Sequence, residues 1–281
     1  MNAVPTSRAE RLAARRARAR RGIAVSALST IVVLGAIATV IVLSPGWHTI
    51  RTTFFSWHLF RTSLWPLIKA FWLDVRIFLI VEVIVLALGM AIALIRTLTA
   101  PVLFPLRLVA TAYVDLLRGI PLLILLYLIG FGVPALGFSF LPRSETVLGG
   151  AALALCYSAY VSEVFRAGIE SVHPSQPAAA LALGLTRPQA LRHVVLPQAV
   201  RRVVPPLLND FIGLSKDVAL VSVLGPQELV RAAQILTDED FNYTHLVAAA
   251  AVYLVITLPL IRIVDHMRAR GLRRENALVL M

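Results

Sequence analysis

Apolar residues in this chain gather into long runs, and polar residues fall mostly between them. The first run covers residues 23–43. A helix over it would be about 31 Å long, enough to cross a bilayer core of about 30 Å. A secretory signal peptide is the rival reading, since Ala36-Ile37-Ala38 resembles a cleavage site. The run continues through Val40, Ile41, Val42 and Leu43, past the usual limit of about 15 apolar residues, so a retained anchor helix is expected.

Ser44-Pro45-Gly46 stops that helix. The stretch to residue 70 mixes Trp47, Phe54, Phe55, Trp57, Phe60 and Trp65 with His48, Arg51, His58 and Arg61, which suits an interfacial segment. A second span is expected over 71–95, and a third over 109–136, interrupted by Asp115, Arg118, Gly119 and Pro121. A fourth covers 147–168. Residues 170–202 are too polar and too broken by proline to cross lipid, and read as short surface helices. A fifth span, 203–224, carries Pro205, Pro206, Asn209, Asp210, Lys216 and Asp217 and must be shielded by other helices. An acidic loop with Glu228, Asp238, Glu239 and Asp240 precedes a last span over 246–263. The pattern predicts an all-α polytopic membrane protein with about six transmembrane helices.

Composition agrees: 58% of the 281 residues are hydrophobic and 15% charged, against about 25% charged in soluble domains. The mean hydropathy of +0.81 excludes a disordered chain. A net charge of +12 would suggest nucleic acid in a soluble protein. Here the bases flank the spans, as cytoplasmic flanks do, so no nucleic-acid partner is expected. The Arg bias puts both termini and the loops 96–107 and 170–202 in the cytoplasm, with the acidic loop outside. The single cysteine, Cys156, allows no intramolecular disulfide.

Ionisable residues inside spans are costly and default to functional candidates. Asp115 with Arg118, and Glu163 with Arg166, are spaced to neutralise one another on a helix face. Glu82 has no partner within its own helix, and either faces a water-filled route or pairs with another helix. Asp210, Lys216 and Asp217 line a polar route or form a buried ion network. No phosphate loop, zinc-binding helix motif or nucleophile elbow occurs, so the chain alone is not expected to hydrolyse ATP, and the histidines do not cluster as metal ligands.

The most specific block is Ala178-Ala179-Ala180-Leu181-Ala182-Leu183-Gly184, followed by Val194-Val195-Leu196-Pro197. It reads as an alanine-rich helix, a turn that Gly184 permits, and a second short helix stopped by Pro197. Such a knob suits the groove of a soluble partner; an amphipathic surface helix with no partner reads equally well.

The spacing of that block resembles the "EAA" coupling loop of permeases of ATP-binding-cassette (ABC) importers. Four further segments are similar to the polar amino acid permease family: Arg118-Gly119-Ile120-Pro121-Leu122-Leu123, Ala159-Tyr160 through Glu163 to Arg166, Leu196-Pro197-Gln198-Ala199 through Pro205-Pro206 to Asn209, and Lys216-Asp217 through Ser222-Val223. The resemblance covers about residues 71–270. Ala178 stands where the family's loop opens with glutamate, and Val218-Ala219 replace Thr-Ser.

The resemblance implies a type I importer permease core of five helices plus an extra N-terminal helix, in a bacterial inner membrane. It divides the chain into a basic tail (1–22), an added helix and aromatic segment (23–70), a permease domain (71–270, coupling loop 174–197) and a C-terminal tail (271–281). It implies no catalytic residue, no bound metal and no cofactor, with ATP and Mg used by a partner. Partners would be ABC ATPase subunits, an extracytoplasmic solute-binding protein, a second permease copy, identical or different, and membrane lipid. Ala178, Ala179, Ala180, Gly184, Leu196 and Pro197 would couple to the ATPase. Glu82, Glu163, Asn209, Lys216 and Asp217 would line the pathway. Alternatives are a permease for another small polar solute such as an opine, a proton-coupled secondary transporter using Glu82 or Asp217, and an intramembrane enzyme.

Overall fold

The computed structural model describes the backbone of residues 8–98 and 100–279, and the side chains of 22, 23, 25–98, 100–200 and 202–267. The arginine side chains of the N-terminal tail and the side chains of the C-terminal tail lie outside the described residues.

The described residues form two compact units, divided between Ser56 and Trp57. The first contains α1 (Arg8–Leu43) and α2 (Trp47–Phe54). In the apolar part of α1, Val25–Leu43, every residue is exposed. The second unit opens with α3 (Trp57–Thr97), a single helix of 41 residues. Residues 57–70, read from composition as an interfacial segment, therefore begin the helix of the second span. Its buried face, with Ser63, Leu67, Asp74, Ile77 and Val81, is continuous across residue 70.

After α4 (Phe104–Gly119) the chain turns by 107° into α5 (Leu122–Tyr127), a wide turn at Leu128–Gly132 and α6 (Val133–Ala135). Pro121 causes the bend: it excludes Ile120 from helical backbone, and Ile120 is extended (φ −98°, ψ 130°). α7 (Glu145–Glu170) occupies the centre, packing against α3, α4 and α10. The surface helices are α8 (Ser175–Ala182) and α9 (Arg187–Ala190).

A π-type turn (Leu191–Val195) joins α9 to α10 (Leu196–Asp217). Pro197 therefore does not stop a helix, as its position suggested, but lies in the first turn of one. Proline fits where the backbone N–H needs no helical partner, and the wider turn before it gives its ring room. A 3₁₀ stretch (Val218–Leu224) follows, then α11 (Leu229–Asp240) and α12 (Thr244–Val279). The expected acidic loop is thus mostly the helix α11, which packs its buried Leu229 and Ala233 against Leu67 of α3 and Ala248 of α12.

Among the described residues, four stretches are long and apolar enough to cross a membrane, Val25–Leu43, Trp47–Thr97, Glu145–Glu170 and Thr244–Met267, with a fifth if the bent pair Pro101–Gly119 and Leu122–Ala135 is one span. The fifth span expected over 203–224 is too polar to join them by composition. It is shielded instead: Val203, Leu214, Val218 and Val221 are each no more than 2% exposed. The contact with α7 depends on Gly168, where a Cβ would lie 2.0 Å from Val203 Cγ1.

Candidate functional site: a helical knob beneath a polar cavity

The Ala-rich block folds as helix, turn, helix. α8 ends in a Schellman motif: Leu185 N–H donates to Ala180 O at 3.2 Å and Gly184 N–H to Leu181 O at 3.0 Å. That closure needs a left-handed residue, and Gly184 has φ +88°. Thr186 then starts α9 in a capping box with Gln189, its N–H donating to Gln189 Oε1 at 2.8 Å.

Ala180 is buried, whereas Ala178, Ala179 and Gly184 are exposed and Leu183 is 82% exposed. Behind the knob, Val172, Val195 and Ala199 form a small apolar core. Leu196 is half-buried and Pro197 exposed at the start of α10, so both lie where the knob becomes that helix. Thr97 and Leu98, at the end of α3, share a cavity of about 370 Å³ with Pro177, Leu181 and Arg187, which puts the end of α3 on the knob's side.

A larger cavity, about 460 Å³, lies between the Ile120–Pro121 bend, α7 and α10. Its polar lining is Arg118, Tyr157, Tyr160, Asp210 and Asp217. Tyr157 donates to Asp217 Oδ2 at 2.7 Å. The Arg118 guanidinium lies 5.6 Å from the centre of the Tyr160 ring. Asp210 Oδ2 is buried with no hydrogen-bond partner among the described residues. The cavity thus presents one cation, two carboxylates and two phenols, a set able to hold a small zwitterion.

The five pathway candidates do not share one place. Asp217 lines the large cavity, while Asn209 and Lys216 line a smaller one of about 280 Å³ beside Asp265. Glu82 is half-buried, with no ion pair among the described residues, and the charge that bears on it is Asp210.

Glu163 is the hub of an ion cluster: it pairs with Arg96 of α3, with Arg166 at 2.8 Å, and lies 3.9 Å from Arg118. Arg166 also meets Glu170 at 2.6 Å. The Glu163–Arg166 pair expected from spacing forms. Arg118 turns toward Glu163, and no ion pair joins it to Asp115 among the described residues. Glu163 is therefore a clamp between α3 and α7.

Two buried polar groups were not legible. Glu228, fully buried, caps α11 by accepting from Val230 N at 2.8 Å and Arg231 N at 2.6 Å. Asp74 of α3, 2% exposed, accepts from Leu229 N at 3.0 Å, so three consecutive amides of α11 are satisfied. Burial, and then the nearby Asp74 charge, push the Glu228 carboxyl up to about 8. The second group joins Ser63 Oγ to His245 Nδ1 at 2.6 Å and His245 Nε2 to Asp240 Oδ2 at 3.0 Å. Its residue types are those of a hydrolytic triad, but Ser63 and His245 are each 2% exposed, so it is a tie between α3 and α12 with no open nucleophile. Among the described residues, no group of three His, Cys, Asp or Glu is arranged to hold a metal ion.

Residues 102–272 match the family described as "binding-protein-dependent transport system inner membrane component". The chain belongs to that family. It is a multi-pass membrane transport component, not a catalytic domain. Among similar proteins, the probable glutamine ABC transporter permease protein GlnM of Bacillus subtilis is 36% identical over 197 residues, covering 68% of this chain and 88% of its own length. The L-cystine transport system permease protein TcyB of the same organism is 35% identical over 226 residues, covering 79% and 93%. A solved amino acid ABC transporter, crystallised with histidines, aligns at TM-score 0.66 and 36% identity over 73% of this chain and 94% of that one. The methionine transporter MetNI shares the fold at TM-score 0.58 and 20% identity, over 73% and 96%. These neighbours carry the type I importer permease architecture that the sequence motifs implied.

Proposed function

We propose that this chain is the transmembrane permease subunit of an ATP-driven, binding-protein-dependent amino acid importer in a bacterial inner membrane. The observation that carries the reading is the exposed knob of α8, Gly184 and α9, which is continuous in helix with α10 and hence with Asp210 and Asp217 of the large cavity. Two ATPase subunits, using ATP and Mg, would seat the knobs of two permeases, the second an identical or a different chain. An outer binding protein would deliver the solute. ATP-driven closure of the ATPases would rock α10 and switch access to the cavity.

Within that cavity, Arg118 suits an amino acid's carboxylate, and Asp210 with Asp217 suits its ammonium group. The knob makes its contact by shape. Ala178, in place of the family's glutamate, leaves the exposed alanines and Leu183 as its docking face.

The test is Gly184→Asp in the assembled transporter, reconstituted in proteoliposomes with its binding protein and ATP. Uptake of labelled amino acid should be lost while the variant still inserts and sediments with the membrane. Normal uptake would remove the coupling role. Uptake by the wild-type chain alone, driven by a proton gradient without ATP, would favour a secondary transporter instead.

A further inference from the structure

The first half of α3 carries a pattern that permease function does not use. Trp57, Arg61, Trp65, Lys69, Trp72 and Arg76 follow one another at intervals of three or four residues. At about 100° per residue they lie within about 120° of one side of the helix. The buried residues Ser63, Leu67, Asp74 and Ile77 occupy the opposite side. All six are exposed, and the tryptophans are 74%, 65% and 55% exposed in chain order. The cations are seated on the rings: Lys69 Nζ lies 5.2 Å from the Trp65 ring centre, and the Arg76 guanidinium 5.5 Å from that of Trp72.

This ladder lacks counter-ions. No Asp or Glu occurs from residue 11 to residue 73, and Asp74 is buried on the far side. Among the described residues no ion pair reaches Arg61, Lys69 or Arg76. The level of the ladder is set by the rest of the helix. Residues 77–95 contain one charge, Glu82, and span about 29 Å, the thickness of the hydrocarbon core. Arg76 therefore marks the edge of that core, on the membrane face opposite the knob. Lys69 and Trp72 follow within about 11 Å, at the depth of the headgroups.

We propose that Trp65, Lys69, Trp72 and Arg76 form a binding site for anionic phospholipid, with the two cations holding headgroup phosphates. The indole rings fix the cations and lie against the glycerol and upper acyl region, where amphipathic rings partition. Charge complementarity and depth both select a lipid phosphate as the occupant.

The test uses the purified full chain in neutral detergent, with bound lipid counted by native mass spectrometry during titration with phosphatidylglycerol or phosphatidylcholine. The wild type should retain phosphatidylglycerol preferentially, and less so at high salt. Lys69→Gln/Arg76→Gln should weaken that retention by about thirtyfold. Lys69→Arg should keep it, and Arg262→Gln should leave it unchanged. Both substituted side chains are exposed, so the double variant should unfold at the wild-type temperature. Equal retention of the two lipids, or undiminished phosphatidylglycerol binding by the double variant, would overturn the proposal. So would a double variant that keeps the lipid but loses an acidic binding protein, since the face would then be a protein dock.

Discussion

Gly168→Ala isolates the contact between α7 and α10. A methyl group there would sit 2.0 Å from Val203 Cγ1 and 3.4 Å from Ala199 O. Carbon atoms pack at about 3.5–4.0 Å, so the α7–α10 contact would have to open by about 1.5–2 Å. Val203 is 2% exposed and β-branched, and so has little rotamer freedom with which to yield. Overpacking of this kind costs about 1–3 kcal/mol, against about 1 kcal/mol gained from helix propensity. The net expectation is a loss of up to about 2 kcal/mol and a Tm lower by up to about 6 °C. The sole cysteine supplies the assay: Cys156 is 2% exposed, so a thiol-reactive dye reports unfolding of the core around it. Gly150→Ala is the matched control, because its Cβ would meet Val81 Cγ2 at an ordinary 3.5 Å. It should be neutral or slightly stabilising. Val203→Ala should recover at least about 1 kcal/mol when combined with Gly168→Ala, beyond the sum of the single changes. If Gly168→Ala melts with Gly150→Ala, or if the pair is additive, the helices are not held at this distance and the reasoning fails.

Other perturbations follow from the polar ties. Removing Glu163 with Ala should cost about 3 kcal/mol or more, because Arg96, its side chain 11% exposed, is left without its carboxylate. Arg96→Met/Glu163→Leu should be milder than Glu163→Ala, and dye melts of the set would show otherwise if the cluster is inert. The carboxyl of Glu228 is raised from its ordinary 4.5 to about 8, so the folded chain holds that proton more tightly than the unfolded chain does. The stability this supplies is fully present below pH about 4.5 and is lost as pH rises to about 8. Glu228→Gln should reduce that decline, so melting curves of wild type and variant should diverge between about pH 5 and 8; parallel curves would refute the assignment. Replacing Glu228 with Ala should destabilise α11 by about 1–2 kcal/mol at pH below about 4.5, since two amides lose their acceptor, and by less as pH rises toward 8.

Local physics was legible in the sequence, and distant pairing was not. Runs of apolar residues located the helices, and Gly184 and Pro121 marked real turns, because each imposes its backbone preference on its immediate neighbours. Pro197 misled: proline forbids a preceding helical hydrogen bond but does not say whether a helix ends or begins there, and a π-type turn upstream decided the matter. The boundary near residue 70 was placed by composition, whereas the buried stripe of α3 runs across it. The charged sites depend on partners far along the chain. Arg96 and Glu163 are 67 positions apart, Asp74 and Leu229 are 155, and Ser63 and His245 are 182. Asp74 gives no local signal of its role, and Glu228 read as one more acid of a solvated loop.

The helical run from Arg187 to Leu224 has a mechanical consequence. Arg187 and Asp210 are separated by 23 residues, about 35 Å along an ideal helix. Rotating such a rod by about 10° at the knob would carry the Asp210 carboxylate some 6 Å, about the width of a small side chain. The rod is not uniformly stiff. The π-type turn at Leu191–Val195 and the interior pair Pro205-Pro206 are the places where backbone hydrogen bonds are displaced or missing. On the proposed coupling, torque entering at the knob would pass through these two compliant joints, and the stiffness of each would set how much of a partner ATPase's stroke reached the cavity as displacement and how much was absorbed as bending.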